Sequence, residues 1–249
     1  MENKNPAQDK IFGRNPVLEA LRSDDVTVNK IIVSKTAQGS AIKEILTLAK
    51  LKKIPVHHVP PEKFDAFQND NNQGVAAETS PLEYLDLYGL IEKTKDERKR
   101  VFVVLDSIED PHNLGAIARN AVAFGASGIV IGKWRSSNIT QTVIKTSAGA
   151  IEHIPVARVS NIAETVSRLK EEGFMIVGAE TGGTPLSEIQ FSFPLAIVIG
   201  SEGEGLQRLI KERCDNIVSI PQTGRISSLN ASCASAIVLY EVFKTKSAV

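Results

Sequence analysis

The stretch VFVVLDSIEDPHNLGAIARNAVAFGASGIVIG, residues 101–132, decides the fold. It opens on an apolar run, Val101–Leu105, of the kind found in strands buried on both faces. A polar turn follows at Asp110, Pro111, His112 and Asn113. Asn113 is a good N-cap for a helix beginning at Leu114, and Gly125 is placed to end it. GIVIG then supplies a second buried strand. Strand, helix and strand in this order make a right-handed crossover between parallel neighbours. Outward from it the alternation continues through IPVARV, NIAETVSRLKEEG, FMIVGAE, LAIVIGSE, LQRLIKERC, NIVSIP and a last helix. The class is α/β, with a parallel sheet covered on both faces over residues 101–249.

The first half reads differently. Val17, Leu18 and Leu21 suit one helix face, with Pro16 in its first turn. KIIVS, VHHV and GVAAET read as strands, SAIKEILTLAKLKK and EKFDAF as helices. Residues 1–80 therefore form a small α/β unit, and residues 81–100, ending in a dense charge run, form a connector with a helical centre. The 249 residues carry 29 basic and 29 acidic side chains, so the whole chain shows no basic footprint of a phosphate-binding surface. No apolar run approaches the roughly 18 residues of a membrane span. The polar start MENKNPAQDK has no signal-peptide core, which points to the cytoplasm. Two cysteines, Cys214 and Cys233, have no metal-ligand or disulfide spacing, and Cys233 is expected as a small core residue of a buried helix.

In an open parallel sheet, ligands bind beyond the carboxyl ends of the strands. Three such ends are rich in polar residues or glycine. The first carries Asn113 and, on a helix of small residues, Arg119. The second, Gly200-Ser-Glu-Gly-Glu-Gly205, has a glycine spacing unlike the dinucleotide fingerprint. Glu202 and Glu204 stand where a phosphate cradle needs bare N–H groups, so the loop favours a neutral or cationic ligand. The third, Gln222–Asn230, has more hydrogen-bonding side chains than a turn uses: Gln222, Thr223, Arg225, Ser227, Ser228 and Asn230. Ser228 or Asn230 can cap the last helix; the others have no structural task.

NLGAIAR, IVIGSEGEGL and IPQTGRISSLNASCASAIVLYE, in this order, resemble the three signature motifs of the SpoU/TrmH branch of the SPOUT methyltransferases. GRNPVLEAL and QGVAAE resemble that family's ribosomal-protein-like substrate-binding domain, which accompanies its ribosomal RNA members. The nearest type is the guanosine 2′-O-methyltransferase of large-subunit rRNA. The resemblance implies S-adenosylmethionine as donor, a C-terminal trefoil knot, a homodimer, and no metal. It implies Asn113, Arg119, Glu202, Ser228 and Asn230 as catalytic residues. Gly200, Ile220 and Leu229 would contact the cofactor. Arg119 is expected to hold an RNA phosphate, Glu202 to orient Arg119, and Ser228 and Asn230 to hold the ribose. Arg14 and Asn15, expected in a loop before the first helix, are candidates for RNA contact. Two alternatives stay open: the same chemistry on tRNA, and a non-catalytic RNA-binding protein of ribosome assembly.

Overall fold

The protein is described by a computed structural model covering residues 10–22, 27–65, 72–80, 82–223 and 228–247. The chain divides into two compact units, one of Met1–Glu83 with Asn138–Gln141 and one of Tyr84–Ser137 with Thr142–Val249.

The first unit is a four-stranded sheet of β1 (Lys10–Phe12), β2 (Thr27–Ser34), β3 (Val56–Val59) and β4 (Val75–Ser80). The order is β1-β4-β2-β3, with only β2 and β3 parallel. Helices α1 (Arg14–Arg22) and α2 (Ser40–Leu51) contribute Val17, Leu21, Ile45 and Ala49 to a core shared with Ile31 and Val75. Phe64 of α3 (Pro61–Asp65) packs with Ile32 and Ala76 in a second cluster. Strand β1 has no pattern of its own in three residues; its pairing with β4, Ile11 opposite Ala77, makes it a strand. Arg14 and Asn15 lie in the first turn of α1, not in a loop before it, because Val17 N–H already donates to Gly13 O at 3.2 Å. Pro16 sits in that turn, where its missing N–H costs nothing.

The second unit begins with α4 (Leu87–Lys93), whose Leu90 is fully buried in the unit's core against residues that include Phe102 and Val130. The strands are β5 (Val101–Leu105), β6 (Gly128–Gly132), β7 (Val156–Val159), β8 (Met175–Pro185), β9 (Leu195–Ile199) and β10 (Asn216–Ser219). All pair in parallel, in the order β10-β8-β9-β5-β6-β7. Every residue of β5, β6 and β9 is buried, as the apolar runs predict. The switch point lies at β5, which has β6 on one side and β9 on the other. Helices α5 (Pro111–Ala123), α6 (Gln141–Thr146), α7 (Ile162–Glu171), α8 (Arg208–Arg213) and α9 (Ala231–Ser247) complete the second half of the chain.

Three local expectations change. Helix α5 starts at Pro111, with Asp110 accepting from His112 N–H at 2.9 Å. Proline at the first helical position has no N–H to satisfy, so the cap moves upstream and Asn113 falls inside the first turn. Its other end is as expected: Gly125 and Ala126 donate to Val122 and Ala121 in a Schellman pattern. Strand β8 runs past FMIVGAE to Pro185, but its pairing with β10 jumps from Gly178 opposite Ile217 to Thr184 opposite Val218. Residues 179–183 thus leave the ladder. Finally, Cys233 is exposed, on a helix that also exposes Ile237, Tyr240 and Phe243. An apolar helix without a polar face reads as buried all round; α9 buries Val238, Leu239 and Val242 instead.

Candidate active site

A cavity of about 270 Å³ opens at the carboxyl ends of β8, β9 and β10. One wall is Ala179, Glu180 and Thr181, the part of β8 that detours from the ladder. A second is the loop 200–205 after β9, and a third is Val218 and Ile220. Ser228, Leu229, Ala231 and Ala234 close the fourth side. Gly200, Ile220 and Leu229, the expected cofactor contacts, all line it.

The loop 200–205 is folded tightly on itself. Gly205 N–H donates to Ser201 O at 3.0 Å. A Cβ on Gly200 would lie 2.4 Å from the Gly205 carbonyl carbon, so only glycine fits. Glu202 and Glu204 are exposed on this loop. Glu204 pairs with Arg135 at 2.6 Å. With Glu180 they put three carboxylates around the cavity, and none of the described residues lining it is basic. Lys211 pairs with Glu180 as Arg135 does with Glu204, which leaves Glu202 as the carboxylate without a cationic partner among the described residues. A phosphate is disfavoured there, and a cationic or neutral ligand is not.

Glu202 also joins the three strand ends. Asn113 Nδ2 donates to Glu202 Oε1 at 2.8 Å, and Asn230 Nδ2 donates to the same oxygen. Asn230 Nδ2 donates in addition to Asn113 Oδ1 at 3.0 Å. Meanwhile Asn230 Oδ1 caps α9, accepting from Ser232 N–H at 2.9 Å and Cys233 N–H at 3.3 Å. Both amide hydrogens of Asn230 are engaged, and reversing the amide would set its oxygen against a carboxylate. Its orientation is therefore determined by the network. Asn230 thus caps α9 and holds Glu202 and Asn113 at the same time.

Arg119 is exposed and makes no hydrogen bond or ion pair among the described residues. It lies six residues beyond Asn113, about 9 Å along the helix and about 120° round it. The hydrogen bonds of Glu202 go to the two asparagines and not to Arg119. Ser228 is exposed on the cavity wall, while Arg225 and Ser227 lie outside the described residues. In the first unit, Asn15 is exposed and Arg14 is half-buried. The Arg14 N–H donates to Gln73 Oε1 at 3.0 Å and its Nε to Gln73 O at 3.3 Å.

Two residues escaped the sequence reading. Asn120 Nδ2 donates to Ser232 O at 2.9 Å and Ser235 Oγ at 3.1 Å, tying the helix of Asn113 to the helix that Asn230 caps. No sequence signal marks it. Glu180 accepts from Lys211 Nζ at 2.5 Å and Leu206 N–H at 3.3 Å. Its signal was available, an acid at the end of the apolar run FMIVGAE.

Comparison with known proteins agrees with this geometry. Residues 100–240 match the model of the SpoU rRNA Methylase family. Residues 10–85 match the model for RNA 2′-O ribose methyltransferase substrate binding. A Staphylococcus saprophyticus protein named as a TrmH family tRNA/rRNA methyltransferase is 47% identical over 238 residues, covering 95% of each chain. A Bacillus subtilis protein of the same description, YacO, is 42% identical over 243 residues, 97% of each chain. The fold matches the crystal structure of the SpoU methyltransferase AviRb from Streptomyces viridochromogenes in complex with the cofactor AdoMet. That match has a TM-score of 0.62 at 21% identity, over 99% of this chain and 95% of that one. With both family models matched in chain order and close relatives along nearly its whole length, the chain belongs to the SpoU/TrmH family of RNA methyltransferases.

Proposed function

We propose that this chain transfers a methyl group from S-adenosylmethionine to a ribose 2′-hydroxyl of RNA, with a guanosine of 23S rRNA as the substrate. One observation carries the reading: Asn113, Glu202 and Asn230, from three separate strand ends, meet at the rim of an acidic cavity. The cavity suits the donor. Its volume is near the lower end of the roughly 300–1,000 Å³ of small-molecule sites. Ile199, Ile220 and Leu229 offer apolar walls, and Gly200 offers bare backbone. Glu202, whose carboxylate has no cationic partner among the described residues, complements a sulfonium charge. Gly200, Ile220 and Leu229 would hold the donor, which supplies an already activated methyl carbon.

The remaining residues position the acceptor. Asn113, Glu202 and Asn230 keep the loop 200–205, α5 and α9 in register, so the donor wall and the acceptor wall move together. The Ser228 hydroxyl faces the ribose. Arg119 holds a phosphate beside the target ribose and stabilises negative charge on the 2′-oxygen. The oxygen–methyl bond forms as the sulfonium carbon–sulfur bond breaks, the donor leaves as a neutral thioether and the hydroxyl proton passes to solvent. In-line positioning of this kind is worth roughly 7–11 kcal/mol in favourable cases. The first unit grips the RNA, with Arg14 and Asn15 among its contacts. The proposal includes a homodimer, supported by exposed Ile237, Tyr240 and Phe243 on α9. It also includes the trefoil knot. The return of the chain from the edge strand β10 to α9, which packs on α5, supports that path. Ribosomal RNA as substrate implies a cytoplasmic protein.

Labelled donor tests the reading, with rRNA and tRNA separated from cells lacking the gene. Label in 23S rRNA at a guanosine 2′-oxygen is expected. Label in tRNA alone would select the tRNA reading, which the names of the relatives also allow. No label in either RNA would leave the non-catalytic alternative.

A further inference from the structure

Trp134 is the only tryptophan of the chain, and it is 53% exposed. It follows β6, at the same carboxyl edge of the sheet as the cavity. Its loop is pinned from several sides. Lys133 N–H donates to Val159 O at 2.7 Å and Ser137 N–H to Ile108 O at 2.8 Å. A Cβ on Gly132 would lie 2.9 Å from the Trp134 carbonyl oxygen, so the loop folds back closely on the strand end. Arg135 has φ 50°, which non-glycine residues adopt sparingly. Its guanidinium pairs with Glu204 at 2.6 Å and approaches Glu109 at 3.8 Å. Glu204 belongs to the cavity loop, so Arg135 is a strut between that loop and the tryptophan.

Beside the indole lies a depression of about 160 Å³, where Ser107, Ser160, Asn161 and Gln207 offer polar groups beside Ile162 and Ala163, and where Gln207 Nε2 donates to Asp106 Oδ1 at 2.7 Å. Ser160 and Asn161 also border a wider hollow of about 350 Å³, where Tyr88 is exposed. The Arg158 guanidinium stacks over Tyr84 at 5.2 Å on the same side. Trp134 and Tyr88 border these two adjoining hollows. The charges do not favour one sign: Lys133, Arg158 and Arg168 face Asp86, Glu164 and Glu172. A phosphate track would be basic. An aromatic plate beside a polar notch instead matches a nucleobase, which has a flat π-face and hydrogen-bonding edges.

We infer that Trp134 stacks on an unpaired RNA base flanking the methylated nucleotide, whose edge enters the adjoining depression. This rests on the RNA methyl-transfer reading. The Arg135–Glu204 strut sets the distance of the indole from the reacting centre.

A single tryptophan makes the intrinsic emission a direct reporter. The full-length protein is titrated with a single-stranded oligoadenylate and with its duplex. It is also titrated with deproteinised rRNA from cells lacking the gene. Quenching by the single strand and not by the duplex is expected. Trp134→Ala should weaken rRNA affinity roughly 5- to 150-fold, the range of one stacking contact. Trp134→Phe should recover most of that loss, and S-adenosylmethionine affinity should not change in either variant. The weakening should be the same at low and high salt, because stacking releases no counterions. Unquenched emission together with wild-type rRNA affinity in Trp134→Ala would overturn the inference. So would an affinity loss that comes with a changed salt slope or a changed oligomeric state, since Trp134 would then act through other groups. Methyl transfer by the wild type with the same KM for RNA in Trp134→Ala sinks the inference alone. Quenching and weakened binding without any methyl transfer would sink the methyl-transfer reading alone.

Discussion

Asn230 does two things at once. Its oxygen caps α9 while its amide hydrogens hold Glu202 and Asn113. Capping alone would have been satisfied by several residue types; the second set of bonds needs an amide. Glu202 can be tested in two steps, because glutamine keeps an acceptor at the same place but removes the charge. Glu202→Gln should weaken S-adenosylmethionine binding several-fold in calorimetry and leave the melting temperature nearly unchanged, since the group is exposed. Glu202→Ala releases both asparagines and should slow single-turnover methylation by roughly 100-fold, the cost of a small misplacement. Equal single-turnover rates in wild type and Glu202→Ala would contradict the positioning role. At this scale the sequence showed that Glu202 has no task in a glycine turn and that Asn230 can cap the last helix. It did not show that they bond to one another, because their partners lie 28 and 117 residues away. The cap at Asp110 was misread for a local reason. Asp110 and Asn113 are both good caps, and only the proline between them decides.

The loop 200–205 shows how an element carries the site. Gly200 is needed for close approach, and Gly203 has open space around it. Gly200→Ala should therefore cost about 1–3 kcal/mol in urea unfolding and abolish donor binding, as overpacking against backbone does. Gly203→Ala should change stability by less than ~0.5 kcal/mol, as surface substitutions do. A Gly200→Ala protein with unaltered midpoint and donor affinity would show that the loop is not closed as described. The buried strands were legible as elements. Val101–Leu105 and Leu195–Ile199 are continuous apolar runs because both faces are covered. The detour of β8 was not legible, since it depends on where β10 pairs along it. A register between strands some 40 residues apart leaves no mark in either one alone. Yet that detour brings Glu180 to the cavity.

For the whole molecule, α4 decides where the chain can be divided. Leu90 is fully buried in the core of the second unit, and residues 84–100 belong to that unit. Removing residues 1–83 should leave a folded protein that binds S-adenosylmethionine but no longer methylates rRNA. Removing residues 1–100 should also lower the melting temperature sharply or prevent folding, because an emptied leucine site costs roughly 2–5 kcal/mol. Thermal melts and calorimetry on the two truncations compare them directly. Wild-type stability in the shorter protein would place the boundary at residue 100 instead. The sequence by itself determined the α/β class, the buried strands, and the three polar strand ends. Each rests on local pattern: apolar runs, helix periodicity, and side chains beyond what a turn requires. Only the tertiary structure decided the strand order, the union of Asn113, Glu202 and Asn230, and the detour of β8 that brings Glu180 to the cavity. Those depend on which distant segments pack together, and that is settled by burying both faces of one sheet, not by any single stretch of chain.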